Sequence, residues 1–183
     1  MAGRTERDAV QDPDPRTLRR ARQGDLGAFE ELVRAYQADV WRFAYHFTRD
    51  RALAEDVTQE AFLRAFRFLR SFRGDSRFTS WLFRIARNCA MDALRARRTM
   101  TDREPPAPVG PTDPQQRIEL QAALASVSEE HREAFLLVEV FGLSYREAAD
   151  ALGVRVGTVK SRMHRARRAM MDALAVEEDA GGA

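Results

Sequence analysis

Residues 144–170, SYREAADALGVRVGTVKSRMHRARRAM, carry the clearest structural pattern of the C-terminal half of the chain. Ser144 and Glu147 have the spacing of a capping box, which starts a helix. Gly153 suits the left-handed conformation that ends a helix. Apolar residues then recur at spacings of three and four: Val156, Val159, Met163, Ala166 and Met170. A helix, a turn containing glycine and a second helix form the pattern of a helix-turn-helix.

The second of these helices is strongly basic. Its cations are Arg155, Lys160, Arg162, Arg165, Arg167 and Arg168, and no acid occurs from Ala151 to Met171. Surface helices commonly mix acids with bases, so a merely solvated face is the weaker interpretation. A basic face opposite an apolar stripe attracts phosphates. The pattern predicts nucleic-acid binding, with Lys160 and Arg165 as candidates for guanine and Ser161 for a base or a phosphate.

Composition excludes several classes of protein. The chain has 183 residues, a formal net charge of +2 and one cysteine, Cys89. A single cysteine cannot form an intramolecular disulfide or a multi-cysteine zinc site, and we expect neither a metal nor a cofactor. No apolar run approaches the roughly 20 residues that span a bilayer, and the N-terminus does not resemble a signal peptide. We therefore expect a soluble, cytoplasmic protein without membrane insertion.

Proline divides the chain into two helical domains. Five of the seven prolines fall within residues 99–114, which predicts an extended linker. Residues 17–98 and 115–176 then form an N-terminal and a C-terminal domain. Residues 1–16 and 177–183 are predicted to be disordered.

Both domains are predicted to be all-α. In the first domain, one apolar face comprises Phe29, Leu32, Val33, Tyr36, Val40, Phe43 and Phe47. Asp50 can cap a second helix, whose inward stripe comprises Val57, Ala61, Ala65 and Phe68. In the second domain, helices are expected at 115–127 and 128–142, with Ser128 as a cap and Gly142 at the end. No segment alternates with a period of two, so no sheet is expected.

Residues 76–98 predict another basic helix. Its inward stripe comprises Phe78, Leu82, Ile85, Cys89 and Ala93, and another face carries Ser80, Arg84, Arg87, Met91, Arg95 and Arg98. Four aromatic residues flank the turn at 73–76, namely Phe72, Phe78, Trp81 and Phe83. Basic grooves with aromatic platforms bind unpaired bases by stacking. Phe78 and Trp81 are also compatible with simple core positions, and the sequence leaves both interpretations open.

Three segments together resemble the signatures of bacterial sigma factors of the sigma-70 superfamily, of the small extracytoplasmic-function type. They are AEDVTQEAFLRAF (54–66), FRGDSRFTSWLFRIARN (72–88) and LSYREAADALGVRVGTVKSRMHRAR (143–167). The resemblance implies that residues 17–98 are a region 2-like domain, which binds core RNA polymerase and the minus-10 element. It implies that residues 115–176 are a region 4-like domain, which binds the minus-35 element.

The resemblance also implies roles for individual residues. Those that bind core polymerase are Asp56, Gln59 and Glu60. Those that bind minus-10 DNA are Arg73, Asp75, Phe78, Trp81, Arg84, Arg87 and Asn88, where the loop at 72–78 helps to hold a flipped base. Those that bind minus-35 DNA are Arg155, Thr158, Lys160, Ser161, His164, Arg165 and Arg168. No catalytic residue is implied, because the protein would direct transcription initiation and leave the chemistry to the polymerase.

The implied partners are the polymerase core, through its clamp coiled coil and flap, and promoter DNA. An anti-sigma factor is a further hypothesis. Two alternatives from other classes remain at this point. One is a free-standing helix-turn-helix regulator that binds DNA without polymerase. The other is a DNA-processing enzyme such as a serine recombinase, which requires an α/β catalytic domain.

Overall fold

The computed structural model describes residues 10–100 and 127–180. They form two compact units, one of residues 10–100, with four α-helices, and one of most of residues 127–180, where three α-helices lie. No β-strand occurs among these residues, which confirms the all-α prediction and disfavours the α/β domain of a recombinase. Within the described part of the chain, no helix combines the length and apolarity needed to cross a membrane.

The N-terminal unit is built around its second helix. The helices are α1 (Pro15–Arg22), α2 (Leu26–Thr48), α3 (Arg51–Phe68) and α4 (Phe78–Met100), with a 3₁₀ turn at Leu69–Ser71. α2 packs against each of the other three helices, and α3 also packs against α4. The predicted apolar face of α2 is confirmed at its centre, because Leu32, Tyr36, Val40 and Phe43 are buried.

An aspartate caps each of the first three helices. Asp14 accepts hydrogen bonds from the backbone N–H of Arg16 and Thr17, at 3.0 and 3.1 Å. Asp25 accepts from Ala28 N at 3.0 Å, and Asp50 accepts from Leu53 N at 3.1 Å. These bonds satisfy N–H groups that have no partner within the helix. The prediction that Asp50 caps a helix is therefore confirmed.

The inward stripe predicted for α3 is correct except at its last residue. Val57, Ala61 and Ala65 are buried, but the Phe68 side chain is 56% exposed. The α-helix ends at Phe68 and gives way to the 3₁₀ turn, whose tighter winding brings Leu69 into the core instead.

The predicted disorder of residues 1–16 is wrong for residues 10–16. Asp14 and Pro15 start α1, and the Tyr36 hydroxyl donates a hydrogen bond to the Gln11 carbonyl at 2.7 Å. Asp12 accepts hydrogen bonds from Thr79, at the start of α4. The polar composition of this segment suggested disorder, but its partners lie on distant parts of the chain.

The C-terminal unit contains the predicted helix-turn-helix. α5 (Glu129–Phe135) continues into a π-helical turn at Leu136–Val140, and α6 (Tyr145–Leu152) and α7 (Val156–Ala180) follow. The glycines that separate these helices take the left-handed conformation, with φ +74° at Gly142 and +67° at Gly153. Both predicted helix ends are confirmed.

Two predictions for this unit need correction. Ser128 occupies the N-cap position of α5, but its hydroxyl contacts His131 Nδ1 at 2.8 Å and makes no capping bond to the backbone. The imidazole competes for the hydroxyl that would otherwise accept from the helix. The predicted disordered tail is also wrong for residues 177–180, because α7 reaches Ala180. Alanine and glutamate, which are frequent there, favour helix.

The predicted linker at 99–114 and the helix at 115–127 lie largely outside the described residues. At one edge, α4 extends to Met100, two residues into the predicted linker. At the other edge, Val127 is buried in a cluster with Ala166 and Met170 of α7.

Replacing Ser144 by alanine is expected to lower the free energy of unfolding by about 1 kcal/mol. The capping box is present as predicted: Ser144 Oγ accepts from Glu147 N at 3.2 Å, and Ser144 N donates to Glu147 Oε2 at 2.7 Å. Denaturant unfolding followed by circular dichroism measures the change. Ser71→Ala is the control, since that hydroxyl only donates to the Phe68 carbonyl. Equal stability of Ser144→Ala and the control contradicts a stabilising box.

Candidate nucleic-acid interface

α7 has a buried face and an exposed basic face. Val159, Met163, Ala166 and Met170 are buried, as the apolar stripe predicted. Val156 is the exception, because it lies in the first turn of α7 and is partly exposed. The exposed residues of the predicted minus-35 set are Arg155, Lys160, Ser161, His164, Arg165 and Arg168, while Thr158 is half-buried.

Two of the six cations are neutralised within the unit. Arg162 pairs with Glu130 of α5 at 2.7 Å, and Arg167 pairs with Glu139 of the π-helical turn at 2.5 Å. The hydrogen bond to Glu139 raises the pKa of Arg167 above its ordinary value. These pairs hold α7 on α5, so Arg162 and Arg167 serve the fold. Neither had been assigned to DNA, but the sequence held no signal for their acidic partners, about 30 residues away.

The remaining cations are left for a ligand. Among the described residues, no ion pair involves Arg155, Lys160, Arg165 or Arg168. These cations are exposed to solvent, and DNA phosphates can take the place of their counterions. Ser161 is more restricted than the sequence indicated, because its hydroxyl donates to the Thr158 carbonyl at 2.9 Å. Its oxygen is then available only as an acceptor.

α4 and the loop before it carry the predicted minus-10 residues. Arg73 and Asp75 lie on the exposed loop, and Gly74 between them has φ +82°. Arg84 and Asn88 are exposed on α4, and Arg87 is half-buried. Their common face continues the stripe that the spacing predicted. Ser80 does not belong to that face, because it is buried in the first turn of α4 together with Phe78 and Thr79.

The aromatic residues near this loop form a cluster that is mostly core. The Phe78 ring is 2% exposed and lies 5.5 Å from the Tyr36 ring and 5.7 Å from the Trp81 ring. Phe72 is buried, 5.1 Å from Trp81. Phe83 packs on Phe43 at 5.1 Å. Trp81 is therefore the only one of the four predicted aromatic residues with a partly exposed ring, and Phe78 supports it from below instead of stacking on a base.

α3 presents a mixed polar and apolar face. Asp56 and Gln59 are exposed, while Glu60 pairs with Arg64 at 2.6 Å. Arg64 also bonds Asp92 of α4 at 3.0 Å, and its bonds to Glu60 and Asp92 raise its pKa. Glu60 thus belongs to a link between two helices.

Leu63 and Phe66 continue the same face of α3. Their side chains are 53% and 43% exposed, and the Phe66 ring contacts Phe29 at a centroid distance of 5.0 Å. Residues 56, 59, 63 and 66 follow helical spacing, so the pattern was available in the sequence. Neither Leu63 nor Phe66 was among the predicted site residues.

Potential metal ligands and the single cysteine were the other candidates for chemistry. Across residues 10–100 and 127–180, no three side chains of His, Cys, Asp or Glu cluster as metal ligands. Cys89 is buried, and burial raises the pKa of its thiol to about 11. Such a thiol is mostly protonated near neutral pH and therefore a poor nucleophile.

Comparison with known proteins identifies a sigma-factor region in each of the two units that carry these basic surfaces. Residues 32–99 match the family model for Sigma-70 region 2, and residues 117–170 match that for Sigma-70, region 4. The RNA polymerase sigma-H factor of Pseudomonas aeruginosa is 37% identical, over 90% of this chain and 95% of that protein. The chain belongs to the extracytoplasmic-function sigma factors of the sigma-70 superfamily.

The chain is also similar to a second curated protein and to two solved structures. The ECF RNA polymerase sigma factor SigE of Mycolicibacterium smegmatis is 38% identical, over 84% of this chain and 64% of SigE. Among solved structures, CnrH in complex with the cytosolic domain of CnrY has a TM-score of 0.70 at 28% identity, covering 87% of this chain and 96% of that one. RpoE of Bartonella quintana, in complex with the anti-sigma factor NepR, has a TM-score of 0.67 at 30% identity, covering 81% and 97%.

Proposed function

We propose that this sigma factor binds RNA polymerase core, directs it to promoters and captures unpaired minus-10 bases so that DNA melting is favoured. One observation carries the proposal: each unit matches one sigma region and exposes a basic surface of its own. Binding energy from the captured bases offsets the cost of unpairing them. The protein is therefore not itself an enzyme in this role, since the chemistry is left to the polymerase. It acts in the cytoplasm, where polymerase and chromosome are found.

The two domains divide this work. Residues 17–98 bind core polymerase and the minus-10 element, and residues 115–176 bind the minus-35 element. In the C-terminal domain, Lys160 and Arg165 lie in the N-terminal half of α7, the part of a recognition helix that reaches base edges. In the N-terminal domain, Arg84, Arg87 and Asn88 contact the minus-10 DNA strand, and the partly exposed Trp81 contacts a base.

An anti-sigma factor holds the protein inactive until a signal releases it. The support is that CnrH and RpoE were each solved with a partner, and NepR is named an anti-sigma factor. Such a partner covers the surfaces that polymerase and DNA require. Direct binding of a purified partner to the free sigma factor, in competition with core, is the measurement.

The exposed face of α3 is the surface that we assign to the clamp coiled coil. Replacing Asp56 by alanine and Leu63 by serine together is expected to weaken core binding by about tenfold, because burial of a leucine is worth about 1.5–3 kcal/mol. Fluorescence titration of labelled protein with core measures the affinity. Phe68→Ser is the matched control, since Phe68 is exposed near the end of the same helix but off this face. Equal losses in both variants contradict the assignment.

The proposed function is tested by gel filtration with bacterial RNA polymerase core, followed by run-off transcription from a genomic fragment library. We expect co-elution and discrete transcripts, whose aligned start sites give the two promoter elements. A chain that ignores core but shifts duplex DNA alone is instead a free-standing helix-turn-helix regulator.

A further inference from the structure

α4 differs from the helices before it in where its cap comes from. The first helical hydrogen bond of α4 runs from Trp81 N to the Arg77 carbonyl, at 3.1 Å, so Arg77 occupies the N-cap position. An arginine side chain has no acceptor for the free N–H groups of a helix. Asp12 supplies that acceptor from 67 positions earlier in the chain. Its Oδ1 accepts from Thr79 N at 3.0 Å and from Thr79 Oγ1 at 2.8 Å.

Residues 10–13, here named the N-terminal strap, make further contacts with the rest of the unit. Asp12 Oδ2 pairs with Arg77 Nε at 3.2 Å, so one carboxylate contacts both the end of the loop and the start of α4. The Tyr36 hydroxyl donates to the Gln11 carbonyl at 2.7 Å. Tyr36 is buried against Phe78. The strap is thus fixed to the same aromatic cluster that supports Trp81.

The charge of Asp12 fits this position. A carboxylate at a helix N-terminus is stabilised by the helix dipole, and Arg77 supplies a second compensating charge. Without Asp12, the first turn of α4 loses its cap, and Arg77 at the end of the loop loses this ion pair. The loop carries Arg73 and Asp75, and the first turn of α4 leads directly to Trp81. A shift at the junction between the loop and α4 therefore displaces three candidate minus-10 residues together.

We propose that Asp12 is a positioning residue for minus-10 recognition, which makes the N-terminal strap part of the promoter-melting apparatus. This inference rests on the proposed function. Asp12 acts through Thr79 and Arg77 and does not itself touch DNA. A loop held in its binding conformation loses less entropy when it captures a base. The strap provides that order before DNA arrives.

The test uses full-length holoenzyme and a fork-junction DNA carrying the minus-10 element mapped for the wild type by run-off transcription. Asp12→Ala is expected to weaken fork-junction binding by about five- to tenfold, because DNA binding must then also order the first turn of α4, at a cost comparable to that of a lost helix cap. Asp12→Asn is expected to stay within about twofold of wild type, because its amide oxygen can still accept from Thr79. Core affinity is measured for every variant and is expected to be unchanged.

Asp14→Ala is the matched control. It removes the same charge two residues away and uncaps α1, but the Asp14 carboxylate bonds only Arg16 and Thr17 of α1 among the described residues. We expect thermal unfolding to shift by a similar amount in Asp12→Ala and Asp14→Ala, while only the former loses affinity for the fork-junction DNA.

Four results overturn the inference. Equal DNA binding by Asp12→Ala and wild type does so, as do equal defects in Asp12→Ala and Asp14→Ala, which indicate a general loss of stability. An equal defect in Asp12→Asn and Asp12→Ala excludes the capping oxygen as the cause. If Asp12→Ala instead binds more tightly, the strap is an inhibitory lid and the positioning role is also wrong. Failure of the wild type to bind core or initiate transcription refutes the proposed function itself, and is thereby distinguished from these results.

Discussion

Holoenzyme carrying Lys160→Ala and Arg165→Ala together is expected to lose about 100-fold or more in promoter affinity. Both side chains are exposed on α7, and no ion pair among the described residues engages them. A contact from such a residue to a guanine is worth about 1–3 kcal/mol, so two contacts account for this loss. Binding to labelled promoter DNA at several salt concentrations is the measurement.

The salt dependence separates two ways in which these cations act. If they contact phosphates, the plot of log affinity against log salt concentration becomes shallower, and the magnitude of its negative slope decreases by about one for each residue removed. If they read bases, the slope stays nearly constant and discrimination at the minus-35 element is lost. Both outcomes agree with a role in DNA binding.

Arg162→Ala is the control for this prediction. Arg162 lies on the same helix, but it is paired with Glu130 and largely buried from solvent. Its loss is expected to cost up to about 1 kcal/mol of stability and less than about twofold in promoter affinity. A larger DNA-binding defect in Arg162→Ala than in the double variant shows that the exposed face of α7 has been assigned wrongly.

Replacing Phe83 by alanine is expected to destabilise the N-terminal unit by about 3–5 kcal/mol. The ring is 1% exposed and packs edge-on against Phe43, joining α4 to α2. Domains are stable by only about 5–15 kcal/mol, so this single cavity removes a large fraction of the total. The C-terminal unit is expected to keep its helical structure.

Cys89 provides a probe confined to the N-terminal unit. It is the only cysteine of the chain, and it is buried on α4 with a pKa raised to about 11 by that burial. A thiol reagent at pH 8 therefore reacts mainly when the unit opens. We expect Phe83→Ala to accelerate the reaction by at least about 100-fold, following the change in the opening equilibrium. Far-UV circular dichroism alone is less specific to the N-terminal unit, because the helices of both units contribute to it.

Phe68→Ala is the matched aromatic control for this experiment. Phe68 is 56% exposed, so its truncation leaves no cavity and is expected to change the Cys89 reaction little. Wild-type protection of Cys89 in Phe83→Ala contradicts the assignment of Phe83 to the core.

Local signals in the sequence were sufficient for most of the helices. The Asp50 cap, the capping box at Ser144 and Glu147, and the turn at Gly153 all occur as predicted. Each depends on residues within three or four positions of one another, where the geometry of a helix leaves few choices. The buried stripe of α7 follows from the same periodicity.

The candidate site was predicted less completely, because helical spacing does not specify what faces an exposed or buried residue. Phe78 fitted both a stacking platform and a core position, and only the ring of Tyr36 beside it decides for the core. Phe68 continued an apolar stripe, but it is the last residue of α3, and its side chain is exposed where the α-helix gives way to the 3₁₀ turn. Leu63 and Phe66 were accessible to the same spacing rule and were simply not grouped.

An all-α fold, a helix-turn-helix and a basic face opposite an apolar one could be predicted from the residues, because these features depend on local spacing and on charge. Which cations remain for DNA could not be predicted, since Glu130 and Glu139 lie about 30 residues from Arg162 and Arg167 and meet them only in the folded unit. The same holds for the cap of α4, which Asp12 supplies from 67 positions before Thr79. Such pairings depend on how helices cross in space, and that information is not contained in the period of any one helix.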